Sequence, residues 1–163
     1  MLIAPPRERR RQLTHEQSSA IILDNGSGTI KAGFCGANSP RAYFPSVVGR
    51  NKTATANHKY DYVGDNAVSH KEQLALKYPI QHGIVQDWDA MEQIWHHMFY
   101  DEIRICPEEH PVMLTEPPLN PDKNRKNSMQ ILFETFAVPY LTVVLQPVLT
   151  MYASGRTYAT IVD

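Results

Sequence analysis

The sequence predicts an α/β fold in which a mixed β-sheet carries helices on its faces. Two observations lead to this prediction. A short apolar run beginning at Ala20 and a second β-rich segment over 29–35 flank a turn, which is the pattern of a β-hairpin. Strand-like and helix-like segments then alternate three times between Asp87 and Val162. An antiparallel start followed by strand–helix alternation indicates a sheet with both kinds of strand pairing.

The first elements are short strands joined by turns. The continuous apolar run over 20–23 is typical of a strand buried on both faces. The segment 24–28 (DNGSG) supplies turn residues, and 29–35 is the second strand of the hairpin. A third strand, bent by a proline, is predicted over 42–48. The polar segment 51–61 shows no hydrophobic period, so we expect an exposed loop there.

The most regular helix pattern begins at Asp87, which is a suitable N-cap residue. Its apolar positions recur with the 3.6-residue period of one buried helix face. These positions are Met91, Ile94, Trp95, Met98 and Phe99. A second helix is predicted to begin at Asn120 and Pro121, as an N-cap followed by proline at the first helical position, and to run to about Phe136.

The remaining elements complete the alternation. Strands are predicted over 112–115 and 141–145 because both segments are apolar and rich in β-branched residues. Pro147 is expected to open a third helix that ends near Gly155. A last strand is predicted over 157–162.

Composition excludes several classes of protein. The 163 residues are 42% hydrophobic, enough to bury one core, and the net charge of −1 gives no whole-chain reason to bind nucleic acid or an anionic membrane. No apolar run approaches the roughly 20 residues of a membrane-spanning helix, so we expect a soluble intracellular protein without membrane insertion. Cys35 and Cys106 lie far apart without CxxC spacing, and we expect buried thiols rather than a disulfide or a zinc site.

Residues 1–19 differ from the rest of the chain. They contain four arginines and two prolines with almost no aromatic residues, which predicts a flexible basic arm ahead of a folded unit over 20–163. The arm could be a docking or targeting peptide, or simply an unstructured extension. The second interpretation is favoured because four arginines in a mobile tail are a weak signal.

The tip of the predicted hairpin has the residue types of a phosphate site. Glycines on both sides of Ser27 allow a tight turn whose successive N–H groups point at one place, and Lys31 adds a positive charge nearby. Asp24 is acidic at the end of an apolar strand, where a divalent cation and its waters could hold it beside phosphate. Neither the Walker loop nor the dinucleotide fingerprint is present. A plain tight hairpin is the alternative, but it requires neither Asp24 nor Lys31.

Several long segments of the sequence resemble the N-terminal half of proteins of the actin family. They occur in the family's order between residues 20 and 163: LDNGSGTIKAGFCG, RAYFPSVVGR, LKYPIQHGIVQDWDAMEQIWHH, EEHPVMLTEPPLNP, FETFAVPY and MYASGRT. The resemblance implies an α/β fold with a mixed five-stranded sheet and flanking helices, the first half of the ATPase fold shared with Hsp70 and hexokinase. It also implies a small inserted subdomain at about 50–77.

The resemblance implies a site for ATP or ADP with Mg²⁺ or Ca²⁺. The phosphate loop would consist of Gly26, Ser27, Gly28, Thr29, Ile30 and Lys31. Ser27 would lie near the terminal phosphate, and Gln146 would orient the attacking water. Asp163 would open the second phosphate loop. Asp24, Gln146 and Asp163 would hold the cation through water, and His82 matches a histidine that is often methylated in the family.

The resemblance further implies an ATP-binding cytoskeletal protein that forms filaments and hydrolyses ATP slowly in its complete form. Its expected partners are other actin or actin-like subunits and actin-binding proteins, in the cytoplasm and cytoskeleton, with no nucleic-acid contact. The second half of the family fold does not follow Asp163, so we expect this chain alone to bind ATP weakly or not at all. Two alternatives remain. One is a non-polymerising actin-related subunit of a larger complex, which the short polar loop over 51–61 favours. The other is an inactive truncated product.

Overall fold

The computed structural model of the chain describes residues 19–52 and 60–161. The predicted arm over 1–19, except for Ser19, therefore lies outside the described residues, and so does Asp163. Most of the predicted polar loop, 53–59, also lies outside them, whereas Asn51 and Lys52 at its start are exposed.

The described residues form ten strands and four α-helices. The strands are β1 (Ile21–Asn25), β2 (Thr29–Phe34), β3 (Ala42–Pro45), β4 (Val48–Asn51), β5 (Tyr62–Val63), β6 (Leu74–Lys77), β7 (Ile80–Gln81), β8 (Ile84–Val85), β9 (Val112–Glu116) and β10 (Leu141–Leu145). The helices are α1 (Gly64–Ser69), α2 (Trp88–His96), α3 (Asp122–Gln130) and α4 (Gln146–Ala153). Wider π-helical turns extend α2 over His97–Ile103 and α3 over Ile131–Thr135.

The main sheet has five strands in the order β10-β9-β1-β2-β3. β1 pairs with β2 and β2 with β3 in antiparallel fashion, whereas β9 pairs in parallel with β1 on one side and with β10 on the other. The prediction of a mixed five-stranded sheet with flanking helices is therefore confirmed. Because β1, β9 and β10 run in one direction, their carboxyl ends lie at the same edge of the sheet.

The strand predicted over 42–48 is in fact two strands in two sheets. β3 ends at Pro45 on the edge of the main sheet, and β4 begins at Val48 as the centre of a smaller sheet with the order β5-β4-β6. The amide of Val47 bonds back to the carbonyl of Pro45 at 2.9 Å, which makes a sharp bend. Proline restricts the backbone and donates no ladder hydrogen bond, so the chain changes sheets at this point.

The helix predicted after Asp87 is confirmed as α2 and its π-helical extension. The Asp87 side chain accepts a hydrogen bond from the Ala90 amide at 3.0 Å, as an N-cap does. The five predicted apolar positions are all fully buried. They pack on the sheet face formed by the alternate residues Ile21 and Leu23 of β1, together with buried residues of β2 and β9.

The predicted start of the second helix is wrong by one residue. α3 begins at Asp122 after Pro121, and no side chain caps it. Asn120 instead donates its amide to Glu116 at 3.1 Å. The Glu116 carboxylate at the end of β9 accepts a hydrogen bond from the Asn120 side chain, so Asn120 does not cap α3. The third predicted helix is present as α4, with Pro147 in its first turn and Ser154 as its C-cap.

The strand predicted over 157–162 is absent from 157–161, the part of it that the structure describes. These residues are mostly exposed, and no described strand pairs with them. β-Propensity measures how well a residue fits a half-buried pleated surface, so it cannot form a strand without a neighbour.

The expectation of buried cysteines is also wrong. Cys35 and Cys106 are free and exposed, since Cys35 follows the end of β2 and Cys106 precedes a 3₁₀ turn at Pro107. Within the described residues, no helix is both long enough and apolar enough to cross a membrane.

Candidate functional site

Three polar side chains meet at the carboxyl edge of the parallel strands. Asp24 is the fourth residue of β1, Thr115 lies near the end of β9, and Gln146 directly follows β10. The Thr115 hydroxyl donates to Asp24 Oδ1 at 2.6 Å. The Gln146 amide nitrogen lies 3.2 Å from the same Oδ1 and 3.3 Å from Thr115 Oγ1, and it donates to both. One hydrogen-bond network thus links residues of β1 and β9 to the first residue of α4, and we call these three residues the edge triad.

The edge triad leaves one oxygen of Asp24 for other partners. Oδ1 accepts from Thr115 and Gln146, whereas Oδ2 faces the ammonium group of Lys31 at 4.0 Å. Lys31 is opposite Asp24 in the register of β1 and β2, and about half of its side chain is exposed. An exposed pair at this distance is weak. The Lys31 ammonium is therefore free to move to a stronger anion, and Oδ2 is free to meet a cation or its water.

The loop between β1 and β2 is a tight glycine turn. The Gly26 amide bonds to the Thr29 carbonyl at 3.1 Å, and the Gly28 carbonyl accepts from the Ser46 amide at 2.9 Å. A Cβ atom on Gly26 would lie 2.6 Å from the Thr29 carbonyl oxygen, so only glycine fits that position. Among the described residues, the amides of Ser27 and Gly28 donate to no backbone carbonyl. These two N–H groups are available to an anion at the tip.

The hydroxyl of Ser27 is contacted by a second turn from a distant part of the chain. The Gly83 amide donates to Ser27 Oγ at 2.8 Å. Gly83 and His82 form the two-residue turn between β7 and β8, with φ of 75° and 50°. Positive φ at both positions is the geometry of a tight hairpin turn, which residues other than glycine adopt at some cost. Because Ser27 accepts this bond, its own hydroxyl hydrogen can still be donated to another acceptor.

Glu116 directly follows Thr115 at the end of β9, and no local sequence pattern marks it as a site residue. Its carboxylate is buried and accepts from Arg125 Nε at 3.1 Å, from Arg125 Nη2 and from Asn120 at 3.1 Å. Burial opposes ionisation, but the hydrogen bonds and charge of Arg125, with the bond from Asn120, outweigh it and hold the pKa of Glu116 below its ordinary value. The fork of Arg125 thus keeps an anion at the end of β9 and ties that end to α3.

The structure brings together most, but not all, of the residues that the sequence indicated. Asp24, Lys31, Gln146 and the 26–28 turn lie at one edge of the sheet. Ile30 is fully buried in the core, so only its backbone could contribute to a site. Thr115 and the Gly83 amide were missed. Thr115 could have been found, because it is a polar residue at the end of an apolar strand, as Asp24 is; no comparable signal marked Gly83.

A hydrated divalent cation fits this donor set better than a directly coordinated metal. Among the described residues, no group of three or more His, Cys, Asp or Glu side chains could hold a metal ion. Asp24 Oδ2 is the carboxylate oxygen that the edge triad leaves without a hydrogen bond. Mg²⁺ commonly keeps several waters and uses one or two carboxylates together with phosphate oxygens. The site therefore suits a cation that is held mainly by water and by a phosphorylated ligand.

Comparison with known proteins gives a consistent result. A family model described as Actin matches residues 15–163 of the chain. A protein named "Actin-like protein" from Neurospora crassa is 50% identical over 151 residues, which cover 90% of this chain and 40% of the relative. The chain thus spans about two fifths of the length of that curated relative.

The close approach at Gly26 predicts a large difference between two substitutions in the same turn. Gly26→Ala places a methyl group 2.6 Å from the Thr29 carbonyl oxygen, which is backbone and cannot move aside cheaply. We expect a loss of about 1–3 kcal/mol in the free energy of unfolding, measured by urea denaturation. Gly28→Ala is the matched control because nothing lies within 4 Å of its added Cβ. Equal stability of the two variants would contradict the described turn.

The lowered pKa of Glu116 predicts a pH-dependent stability. A carboxyl whose folded pKa lies below its unfolded value stabilises the fold above the unfolded value, and this contribution disappears as the pH falls through the folded pKa. Glu116→Gln should therefore cost about 1–3 kcal/mol near pH 7, because the charge-assisted bonds to Arg125 are lost.

The difference between the Glu116→Gln variant and the original chain should shrink as the pH drops below the ordinary glutamate value of 4.5. Unfolding by urea across the range from neutral to acidic pH measures this. Glu134→Gln is the control, since Glu134 is exposed and its partner is Gln130 on the same helical segment. A difference that stays constant with pH would show that Glu116 is not ionised in the fold.

Proposed function

The chain belongs to the actin family, and on that premise we propose that the turn over 26–28 and the edge triad bind the phosphates of ATP or ADP together with Mg²⁺ or Ca²⁺. The convergence of Asp24, Thr115 and Gln146 beside a glycine turn carries this proposal. In open α/β sheets, ligands bind beyond the carboxyl ends of the parallel strands, and this is where the three residues meet.

Each element of the site has a distinct role in the proposal. The amides of Ser27 and Gly28, with the Ser27 hydroxyl, donate to phosphate oxygens. Lys31 leaves Asp24 and neutralises phosphate charge. Its side chain is about half exposed and its pairing with Asp24 is weak, so this movement costs little. The backbones of Thr29 and Ile30 complete the loop. Asp24, Gln146 and Asp163 hold the cation through water.

Gln146 would orient the water that attacks the terminal phosphate. Its amide nitrogen is committed to Asp24 and Thr115, which fixes the side chain and leaves the carbonyl oxygen to accept a hydrogen bond from water. Positioning of this kind is the main contribution of a protein to phosphoryl transfer, in which a bound divalent cation neutralises the developing charge. No side chain needs to act as a covalent nucleophile. A slow ATPase activity of the longer protein is the expected consequence.

The wider proposal is an actin-like cytoskeletal protein in the cytoplasm that assembles with actin or actin-like subunits and binds actin-binding proteins. Membership in the family supports it. The chain covers only part of its relative, so these activities are proposed for a protein that matches its relatives along their full length.

Ser27 offers a direct test of the phosphate-binding proposal. Ser27→Asp puts a carboxylate where the proposal places a phosphate, and like charges repel strongly at such a distance. In a chain that matches its relatives along their full length, ATP affinity should fall by at least about tenfold, or about 1.4 kcal/mol, in a titration with Mg²⁺. Ser69→Asp is the matched control because Ser69 lies on α1, away from the glycine turn, and is exposed. Unchanged affinity in the Ser27 variant would contradict the assignment.

A second function, as a non-polymerising structural subunit of a larger complex, is favoured by one feature. The segment 51–61 (NKTATANHKYD) is short and polar, whereas a loop that inserts into a neighbouring filament subunit is expected to carry apolar residues. The two functions predict different behaviour in ultracentrifugation. With ATP, Mg²⁺ and salt, a filament-forming protein pellets, whereas a subunit of the second kind stays in the supernatant.

A further inference from the structure

A short hairpin carries the amide that contacts Ser27. Residues 79–86, which we call the Gly83 hairpin, follow β6 and contain β7 and β8 before α2 begins. β7 and β8 pair through only two residues each, and the Gln86 amide closes the base by bonding to the Pro79 carbonyl at 2.8 Å. A two-stranded hairpin of this size is not stable by itself in water. Contacts outside the hairpin must therefore fix its position.

One of these contacts lies just outside the base of the hairpin. Lys77, the last residue of β6, pairs with Asp87, the residue before α2. The Tyr60 hydroxyl donates to the same carboxylate at 3.3 Å. Further along, the Asn124 side chain donates to the Val85 carbonyl at 3.0 Å. The Lys77–Asp87 pair therefore closes the chain around the hairpin, and Asn124 holds one of its strands.

The two oxygens of Asp87 have separate roles. Oδ1 accepts from the Ala90 amide and caps α2, whereas Oδ2 binds Lys77 and Tyr60. The Asp87 side chain is only 15% exposed, whereas half of the Lys77 side chain is exposed, so solvent screens the pair from the lysine side only. Burial opposes ionisation of this group, but the Ala90 amide and Lys77 outweigh it and lower the pKa of Asp87. The carboxylate is thus charged at neutral pH and joins β6 to α2 across the hairpin.

We propose that Asp87 and Lys77 are positioning residues that hold the Gly83 amide against the Ser27 hydroxyl. The pair fixes where the hairpin begins and ends, and the hairpin carries Gly83 to the tip of the glycine turn 2.8 Å from Ser27 Oγ. The meaning of this contact for phosphate binding rests on the proposed function, whereas the positioning itself does not. The Lys77–Asp87 pair thereby keeps the Gly83 amide on one side of Ser27 Oγ, and the Ser27 hydroxyl hydrogen must point away from that amide.

The test separates the helix cap from the ion pair. Asp87→Asn keeps an oxygen that can accept from the Ala90 amide, since asparagine is a good N-cap, but it removes the charge that binds Lys77. Lys77→Met keeps the aliphatic stem and removes the charge from the other side. In both variants the Gly83 amide should exchange its hydrogen with solvent about fivefold faster, as NMR-detected exchange without nucleotide measures.

Further variants show whether the effect belongs to the pair. The double variant should exchange no faster than either single variant, and Lys77→Arg should retain most of the protection. Asp101→Asn is the control, because it removes a carboxylate that contacts the His97 ring outside the hairpin and should leave Gly83 unchanged. Should Asp87→Asn fail to fold, the Lys77 variants decide the question.

Two results would overturn the proposal. One is unchanged exchange at Gly83 in the Lys77→Met variant. The other is equal acceleration at core amides such as Leu23 and Leu114, which would show a general loss of stability. Since the measurement uses no nucleotide, a failure of phosphate binding would leave its outcome unaffected.

Discussion

The pairing of β1 on both sides determines where the glycine turn and the edge triad lie. One edge of β1 is antiparallel to β2, so the chain reverses immediately after Asn25 in a glycine turn. The other edge is parallel to β9, which is parallel to β10 in turn. The glycine turn consequently lies beside the carboxyl ends of two strands that come from much later in the chain. A sheet that was wholly antiparallel would have separated these ends.

This arrangement has an energetic consequence at Asp24. A carboxylate at the end of a core strand loses hydration, and such a loss is costly unless hydrogen bonds replace the water. Thr115 and Gln146 replace it at one oxygen, but the other oxygen has only a distant and exposed lysine. About a third of the Asp24 side chain is exposed, so water can reach the oxygen that faces Lys31. The same access leaves this oxygen open to a ligand at the edge of the sheet.

The features that could be predicted from the sequence are those that depend on neighbouring residues. The periodicity after Asp87 identifies α2 because the apolar residues of its buried face recur at regular spacing in the local sequence. The DNGSG segment identifies the hairpin tip because its turn-forming residues are adjacent in the sequence. Features that depend on distant partners could not be predicted. Asn120 leaves its predicted cap because a carboxylate from β9 competes for it. The contact between Gly83 and Ser27 joins residues 56 positions apart, and no local pattern records it. Gln146 was indicated only by resemblance, since glutamine in an apolar segment has no distinctive pattern.

The donor set also determines how a cation and a nucleotide depend on each other. Among the described residues at this site, Asp24 alone has a carboxylate oxygen open to a cation, since Glu116 is already held by Arg125. Even with Asp163, which the proposal adds, a divalent cation would have only two carboxylates here and would keep most of its waters. Nucleotide phosphates would supply the missing oxygens, and the cation would in turn reduce the repulsion between those phosphates and Asp24. The two ligands are therefore expected to bind cooperatively, because each provides the charge that the other lacks.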